Sequence, residues 1–237
     1  VSTSRVVLVT GAGRGIGRAI AEAFVAAGET VAVLVRTEGA APQGAHEYLA
    51  DVTDTAAVDA AFTAIEQDLG TVEVLVANAG VTRDGLLMRM SDEDFDAVID
   101  TNLRGTFTVV RRASTGMIRL RRGRIVMVGS VVGLYGGAGQ VNYAASKAAL
   151  VGMARSITRE LGGRGITANV VAPGFVETAM TAALPEETQQ QYKTAIPAGR
   201  FASTDEVAGV VRFLASDAAA YVSGALIPVD GGLGMGH

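Results

Sequence analysis

The chain predicts an α/β fold, a doubly wound, seven-stranded parallel sheet with helices on both faces, built as a single domain. Three observations predict it. Short β-branched apolar runs alternate with longer stretches of helical periodicity along the whole chain. The runs are almost continuously apolar, as expected of strands covered on both faces. The 237 residues, 49% hydrophobic and 19% charged, supply enough apolar material for one sizeable core. No internal repeat, low-complexity tract or interdomain linker divides residues 1–237, and alternation of this kind implies right-handed crossovers.

Taken in order, residues 5–10 (RVVLVT) read as the first strand, followed by a glycine-rich turn and a helix over 16–27. A second strand at 30–36 (TVAVLVR) and a weaker third at 46–49 precede a helix from about 54 to 69 and a strong strand at 72–77. A long helical region runs from 91 to about 118. Residues 124–128 (RIVMV) form the next strand, 142–161 a helix and 166–171 (ITANVV) a further strand. The last helix opens on Ser203-Thr204-Asp205-Glu206, a capping box in which the serine and the glutamate each satisfy an end amide. Two stretches read as irregular, 38–44 and 175–201. The second contains Pro185, Pro197 and the polar run 186–193, and its length marks it as a substrate lid rather than a plain connection.

Composition removes several classes of function. A net charge of −4 argues against a nucleic-acid binder. The lack of cysteine excludes disulfides and thiolate metal sites, and His46 and His237 stand too far apart to form a metal motif, so both read as structural or incidental. No apolar run approaches the roughly 20 residues that span a bilayer, and no signal-peptide pattern opens the chain, so the expected location is cytoplasmic.

Between the first strand and the first helix stands Thr10-Gly11-Ala12-Gly13-Arg14-Gly15-Ile16-Gly17. It departs from GxGxxG because Ile16 falls where the third glycine belongs, and it lacks the Gly-Lys-Ser/Thr ending of a P-loop. The spacing of Gly11, Gly15 and Gly17 still lets the backbone approach a pyrophosphate at a helix N-terminus. At the end of the second strand, where a carboxylate would hold a ribose 2′-hydroxyl, the chain has Arg36. Arginine pairs with a 2′-phosphate, and Arg14 is a second candidate partner, so NADPH is favoured over NADH. Either arginine alone reads equally well as a solvated surface charge.

Tyr143 and Lys147 lie four residues apart on one helix face, with Ser130 thirteen residues upstream at a strand end. A phenol of pKa about 10 is a poor acid near neutrality, and an adjacent ammonium would bring it toward the working range. The same spacing also arises in ordinary amphipathic helices.

The glycine turn, Ser130, Tyr143 and Lys147 together resemble the short-chain dehydrogenase/reductase family over essentially the whole chain. Further motifs match in order: Asp51-Val52, Asn78-Ala79-Gly80, Asn102, and Pro173-Gly174 with Thr178. A closer resemblance is to the 3-oxoacyl-[acyl-carrier-protein] reductases of type II fatty acid synthesis. It is carried by Gly85-Leu86-Leu87-Met88-Arg89-Met90, Gly129-Ser130-Val131-Val132-Gly133, Asn142-Tyr143-Ala144-Ala145-Ser146-Lys147, residues 170–178 and Pro228-Val229-Asp230-Gly231-Gly232.

The resemblance implies a Rossmann-like NADP-binding domain that passes hydride from NADPH to the C3 ketone of an acyl thioester, giving a 3R-hydroxyacyl product. Tyr143 would protonate the alkoxide, Ser130 would hydrogen-bond the same oxygen, and Lys147 would hold the nicotinamide ribose and depress the tyrosine pKa. Asn102 would position a water relaying protons through Lys147. Gly11, Arg14, Gly15, Ile16 and Gly17 would hold the pyrophosphate region, and Asp51 and Val52 the adenine. Asn78, Ala79 and Gly80 would line the adjoining ribose and Val176 with Thr178 the carboxamide, with Pro173 and Gly174 also among the cofactor-binding residues.

The implied partner is acyl carrier protein. Its steering contacts are expected at Arg121 and Arg164, within a basic cluster that also holds Arg119, Arg122 and Arg124 and is expected near the site entrance. Relatives of this kind form homotetramers through helices equivalent to 91–118 and 142–161. Two alternatives stay open: a reductase of this family acting on another ketone or on a coenzyme A thioester, and a noncatalytic nucleotide-sensing regulator, which would have no need of Tyr143 with Ser130.

Overall fold

In the computed structural model, which describes residues 4–235, the apolar runs pair as seven strands. These are β1 (Val6–Thr10), β2 (Thr30–Val35), β3 (His46–Leu49), β4 (Val72–Ala77), β5 (Gly123–Val128), β6 (Ile166–Pro173) and β7 (Leu226–Val229). Every pairing is parallel, in the order β3-β2-β1-β4-β5-β6-β7. The chain builds outward from β1 to one edge, then crosses back to β4 and builds to the other. That reversal opens a crevice at the carboxyl ends of β1 and β4, where ligands of such sheets bind.

Alternation along the strands divides the apolar residues between two cores. Leu8, Leu75, Ile125 and Met127 face one layer, packed by α2 (Thr55–Asp68), α4 (Thr106–Leu120) and α6 (Val141–Leu161). Val9, Val76 and Val126 face the other, packed by α1 (Gly15–Ala26) and α9 (Thr204–Ala215). The remaining helices are α3 (Asp92–Ile99), α5 (Val132–Tyr135), α7 (Ala179–Ala182) and α8 (Glu186–Ala195). The capping box at α9 forms as expected: the Glu206 amide donates to Ser203 Oγ at 3.2 Å and the Ser203 amide to Glu206 Oε2 at 2.8 Å.

Three elements differ from the sequence reading. The helical region 91–118 is interrupted by a π-helical turn, Asp100–Gly105, between α3 and α4. Apolar periodicity is blind to one inserted residue, and such turns concentrate at functional sites. Residues 175–201 are largely helical rather than irregular, holding α7 and then α8, whose start at Pro185 follows the rule that proline tolerates a helix beginning. Lastly, β7 contains Pro228, which a central strand would reject; pairing with β6 alone leaves it at an edge where proline is tolerated.

No helix among the described residues is long and apolar enough to cross a membrane. No group of three or more His, Cys, Asp or Glu among them could hold a metal ion. His46 is exposed at the start of β3, and His237 lies outside the described residues.

Candidate active site

The glycine turn leaves β1 at Thr10 and enters α1 at Gly15. Gly11 and Gly15 have φ of +66° and +56°, in the left-handed region that side chains resist. A Cβ on Gly17 would stand 2.5 Å from the Gly11 carbonyl oxygen, so the turn folds back on itself too tightly for any other residue. Asn78, just past β4, holds this shape. Its Nδ2 donates to the carbonyls of Thr10 and Gly11 at 3.1 and 3.2 Å, while Thr10 Oγ1 accepts from the amides of Asn78 and Ala79, both at 3.0 Å.

Arg14 occupies the N-cap of α1 without a side-chain cap bond, so no side chain competes for the first amides of that helix. This cradle fits a dinucleotide pyrophosphate in shape and in donor chemistry. Ile16 is half-buried and Arg14 exposed beside it.

The other expected cofactor residues come to the same lip. Arg36 follows β2, exposed, with its guanidinium 3.7 Å from Asp51. Partial burial pushes the Asp51 carboxyl up, but the Thr53 amide and hydroxyl together with Arg36 outweigh it and hold the group below its usual range. Val52 is buried against Gly105 of the π turn. Pro173 ends β6, Gly174 donates its amide to the Val229 carbonyl at 3.0 Å, and Val176 pairs with Ala202. Thr178 N-caps α7 and reaches across to the glycine turn, its methyl 3.7 Å from where a Gly15 Cβ would be.

Ser130 lies just beyond β5, its Oγ accepting from the Val132 amide at 3.2 Å. Tyr143 and Lys147 stand on the first turns of α6. Burial raises the Tyr143 phenol above its ordinary pKa; hydrogen bonding with Ser130 opposes the rise and the nearby Asp84 carboxylate adds to it. Burial also lowers Lys147 to about 8, and no carboxylate among the described residues pairs with its ammonium. Lys147 Nζ donates to the Val128 carbonyl at 2.8 Å and lies 5.6 Å from the centre of the Tyr143 ring. Lys147 is not among the groups that shift the phenol here; desolvation is the largest influence and keeps the tyrosine protonated. A protonated phenol is the form that donates.

Asn102 is fully buried in the π turn. Its Oδ1 accepts from the Val81 amide at 2.8 Å, and its Nδ2 donates to the Val81 carbonyl at 3.0 Å and to Ser146 Oγ at 3.2 Å. A Cβ on Gly80 would stand 3.1 Å from Asn102 Oδ1 and 3.4 Å from Lys147 Nζ, so the glycine keeps the space between these two groups clear.

The arginine cluster is not at this site. Arg122 and Arg124 stand at the opening of β5 and Ser130 just past its close, a separation of about 20 Å at some 3.3 Å per residue. Arg124 is buried and pairs with Asp217 at 3.3 Å, and Arg122 pairs with Glu73 and Asp217. Arg121 and Arg164 are exposed near one another at that same far end, with Arg121 donating to the Gly163 carbonyl at 3.4 Å. The expected position near the entrance failed because strand direction, not sequence proximity to Ser130, decides which end of the sheet a residue occupies. Sequence reasoning in turn passed over Ser146, Val81 and the Val128 carbonyl. A serine inside an apolar helix was the available signal for the first; the other two act through backbone atoms and leave none.

A glycine cradle for a dinucleotide beside a serine, tyrosine and lysine defines an α/β oxidoreductase that uses a nicotinamide cofactor. Residues 11–234 match the family described as Enoyl-(Acyl carrier protein) reductase, within the short-chain dehydrogenases/reductases, and the chain belongs to that family. It is 57% identical to the 3-oxoacyl-[acyl-carrier-protein] reductase MabA of Mycobacterium tuberculosis over 234 residues, 99% of this chain and 94% of that protein. Identity to MabA of Mycobacterium avium is 54%, covering 99% and 91%. To the 3-oxoacyl-[acyl-carrier-protein] reductase FabG of Escherichia coli it is 46% over 239 residues, covering 98% of each chain.

Proposed function

We propose that this protein reduces 3-oxoacyl-[acyl-carrier-protein] to (3R)-3-hydroxyacyl-[acyl-carrier-protein] with NADPH during fatty acid elongation. The observation that carries the reading is the half-buried Tyr143 phenol, close enough to Ser130 for that hydroxyl to lower its pKa and one helical turn from Lys147, on the lip where the glycine cradle opens. The names of the full-length relatives at 46–57% identity support the substrate class.

Held by the glycine turn and Lys147, a nicotinamide would supply the hydride for the substrate ketone. Tyr143 donates its proton to the C3 oxygen as negative charge develops there, and Ser130 hydrogen-bonds the same oxygen, so both donors are in place before reaction. Lys147, its pKa lowered to about 8, is suited to return a proton to Tyr143. Asn102 Oδ1 and Lys147 Nζ border the clear space above Gly80, where a water would pass protons from solvent. Residues 175–201 act as the lid, and the stacking of Phe175 on Tyr192 at 4.2 Å and on Phe201 at 5.6 Å supports a closed arrangement over an acyl chain. A cleft of about 360 Å³ lies within this segment, lined by Thr178, Thr181, Gln189, Lys193 and Phe201.

NADPH is favoured over NADH because Arg36, only loosely held by Asp51, and exposed Arg14 are free to pair with a 2′-phosphate. Arg36→Asp is expected to invert the cofactor preference in kcat/KM, and unchanged discrimination would remove Arg36 from the site. The cysteine-free chain suits a reducing cytoplasm. Apolar Phe107 on α4 and Val141 on α6, both exposed, support a homotetramer assembled through those helices.

The direct experiment follows NADPH oxidation with acetoacetyl and longer 3-oxoacyl groups on carrier protein, beside coenzyme A thioesters, 2-enoyl thioesters and free ketones. Preference for the carrier-linked 3-oxo substrates is expected. Turnover confined to 2-enoyl thioesters or to free ketones would replace the assignment, and turnover of none would favour a nucleotide sensor.

A further inference from the structure

Ser146 has no contact with solvent and sits between the two elements that carry the chemistry. It lies on α6 between Tyr143 and Lys147, on an otherwise small and apolar stretch of helix where a buried hydroxyl needs partners to be tolerated. It has two. Ser146 Oγ donates to the Tyr143 carbonyl at 2.7 Å and accepts from Asn102 Nδ2 at 3.2 Å.

The bond to the carbonyl at i−3 commits the hydroxyl proton, so toward Asn102 the oxygen can only accept. Asn102 in turn spends its second amide hydrogen and its carbonyl on the Val81 main chain, past β4. One chain of hydrogen bonds therefore runs from the β4 exit through the π turn to the backbone of Tyr143 itself. All of its side-chain members are fully buried, where each bond is strengthened by the low local dielectric. Without the hydroxyl, no hydrogen bond among the described residues would join the π turn to α6.

We propose that Ser146 is a positioning residue of the reductase: its hydroxyl couples the Asn102 turn to the Tyr143 backbone and so sets the phenol and Lys147 against Ser130. The inference rests on the reading of Tyr143, Lys147 and Asn102 as reacting groups.

The test compares Ser146→Ala, Ser146→Thr and Ser146→Val with the parent enzyme. Threonine and valine share one shape and differ only in the hydroxyl, and threonine in a helix readily makes the same bond to the carbonyl at i−3 or i−4. Loss of one buried hydrogen bond that counts in the transition state is expected to lower kcat about tenfold in the alanine and valine variants. Dissociation of NADPH, read by its fluorescence, should stay within about twofold, and threonine should recover most of kcat. In a double-mutant cycle on kcat, Ser146→Ala and Asn102→Ala should be strongly non-additive.

Valine and threonine equally impaired, alanine with full kcat, or an additive cycle would each overturn the coupling. Tyr143→Phe run in parallel separates the two levels. If it is inactive while Ser146→Ala is unimpaired, only this inference fails; if it turns over normally, the reading of the site fails with it.

Discussion

Two buried cations stand at opposite ends of β5, and the chain treats them differently. At the opening end Arg124 lies between Asp217, 3.3 Å away, and the carbonyls of Gly123 and Gly165 at 3.0 and 3.3 Å, with its Nε unpartnered. At the closing end Lys147 donates to the Val128 carbonyl and pairs with no carboxylate among the described residues. Burial lowers the pKa of both. For a guanidinium that shift is without consequence, since it stays charged at any working pH. For the ammonium it brings titration to about 8, inside the range where a proton relay operates. The same desolvation thus leaves one a permanently charged clamp and makes the other titratable near neutrality, as its proposed role requires, and the difference lies in residue type and in the lack of a carboxylate partner among the described residues.

The largest expected effect is at the closing end. Tyr143→Phe should retain NADPH binding and lose turnover by about 10²–10⁴-fold, the usual worth of a positioned general acid. Near-normal progress curves for NADPH oxidation would sink that role.

Lys147→Met comes next. It should abolish most turnover while stabilising the cofactor-free protein below pH 8, because the buried charge is removed. The sign follows from linkage. The folded pKa of about 8 lies below the ordinary 10.5, so between those values the unfolded chain binds more protons and stability from this group rises with pH. Urea unfolding at pH 7, 8, 9 and 10 should show that rise in the parent and a flatter profile in the variant; parallel profiles would mean that Lys147 is not desolvated as described.

Arg124→Met probes the opening end. It should leave kcat/KM unchanged and cost about 1–2 kcal/mol, since two carbonyls lose their donor while exposed Asp217 is re-solvated. A catalytic defect without loss of stability, seen by steady-state kinetics beside thermal melts, would break the separation of roles along β5.

The smallest effect is expected for Arg121→Glu with Arg164→Glu. From about 20 Å away these residues act only through the field, so kcat/KM for carrier-linked substrate should fall a few-fold at low salt and converge with the parent as salt rises. Coenzyme A substrates should be less affected. If both substrate classes respond equally, the pair does not steer the carrier.

Much of this arrangement was legible in the chain. Strand boundaries fell within a residue or two because burial on both faces writes β1, β2 and β4 to β6 as nearly pure apolar runs. Ser130, Tyr143 and Lys147 were legible as types because few residues do their chemistry, and the glycine turn because few backbones tolerate its φ angles. The π turn was not legible: it adds one residue to a helix without changing the composition that marks a helix. Nor were the partners of Ser146, which lie 44 residues away at Asn102 and on the helix backbone, though a serine in an apolar helix was itself a signal.

By itself the sequence determined the order of strands and helices, the glycine turn and the residue types proposed to react, because local propensity, glycine stereochemistry and side-chain chemistry are properties of short segments. Only the tertiary structure decided the direction of the Tyr143 shift, the fall of Lys147 to about 8 and the placement of the arginine cluster at the far end of β5. Desolvation depends on everything packed around a group, and strand direction in a folded sheet turns neighbours in sequence into residues at opposite ends of the molecule.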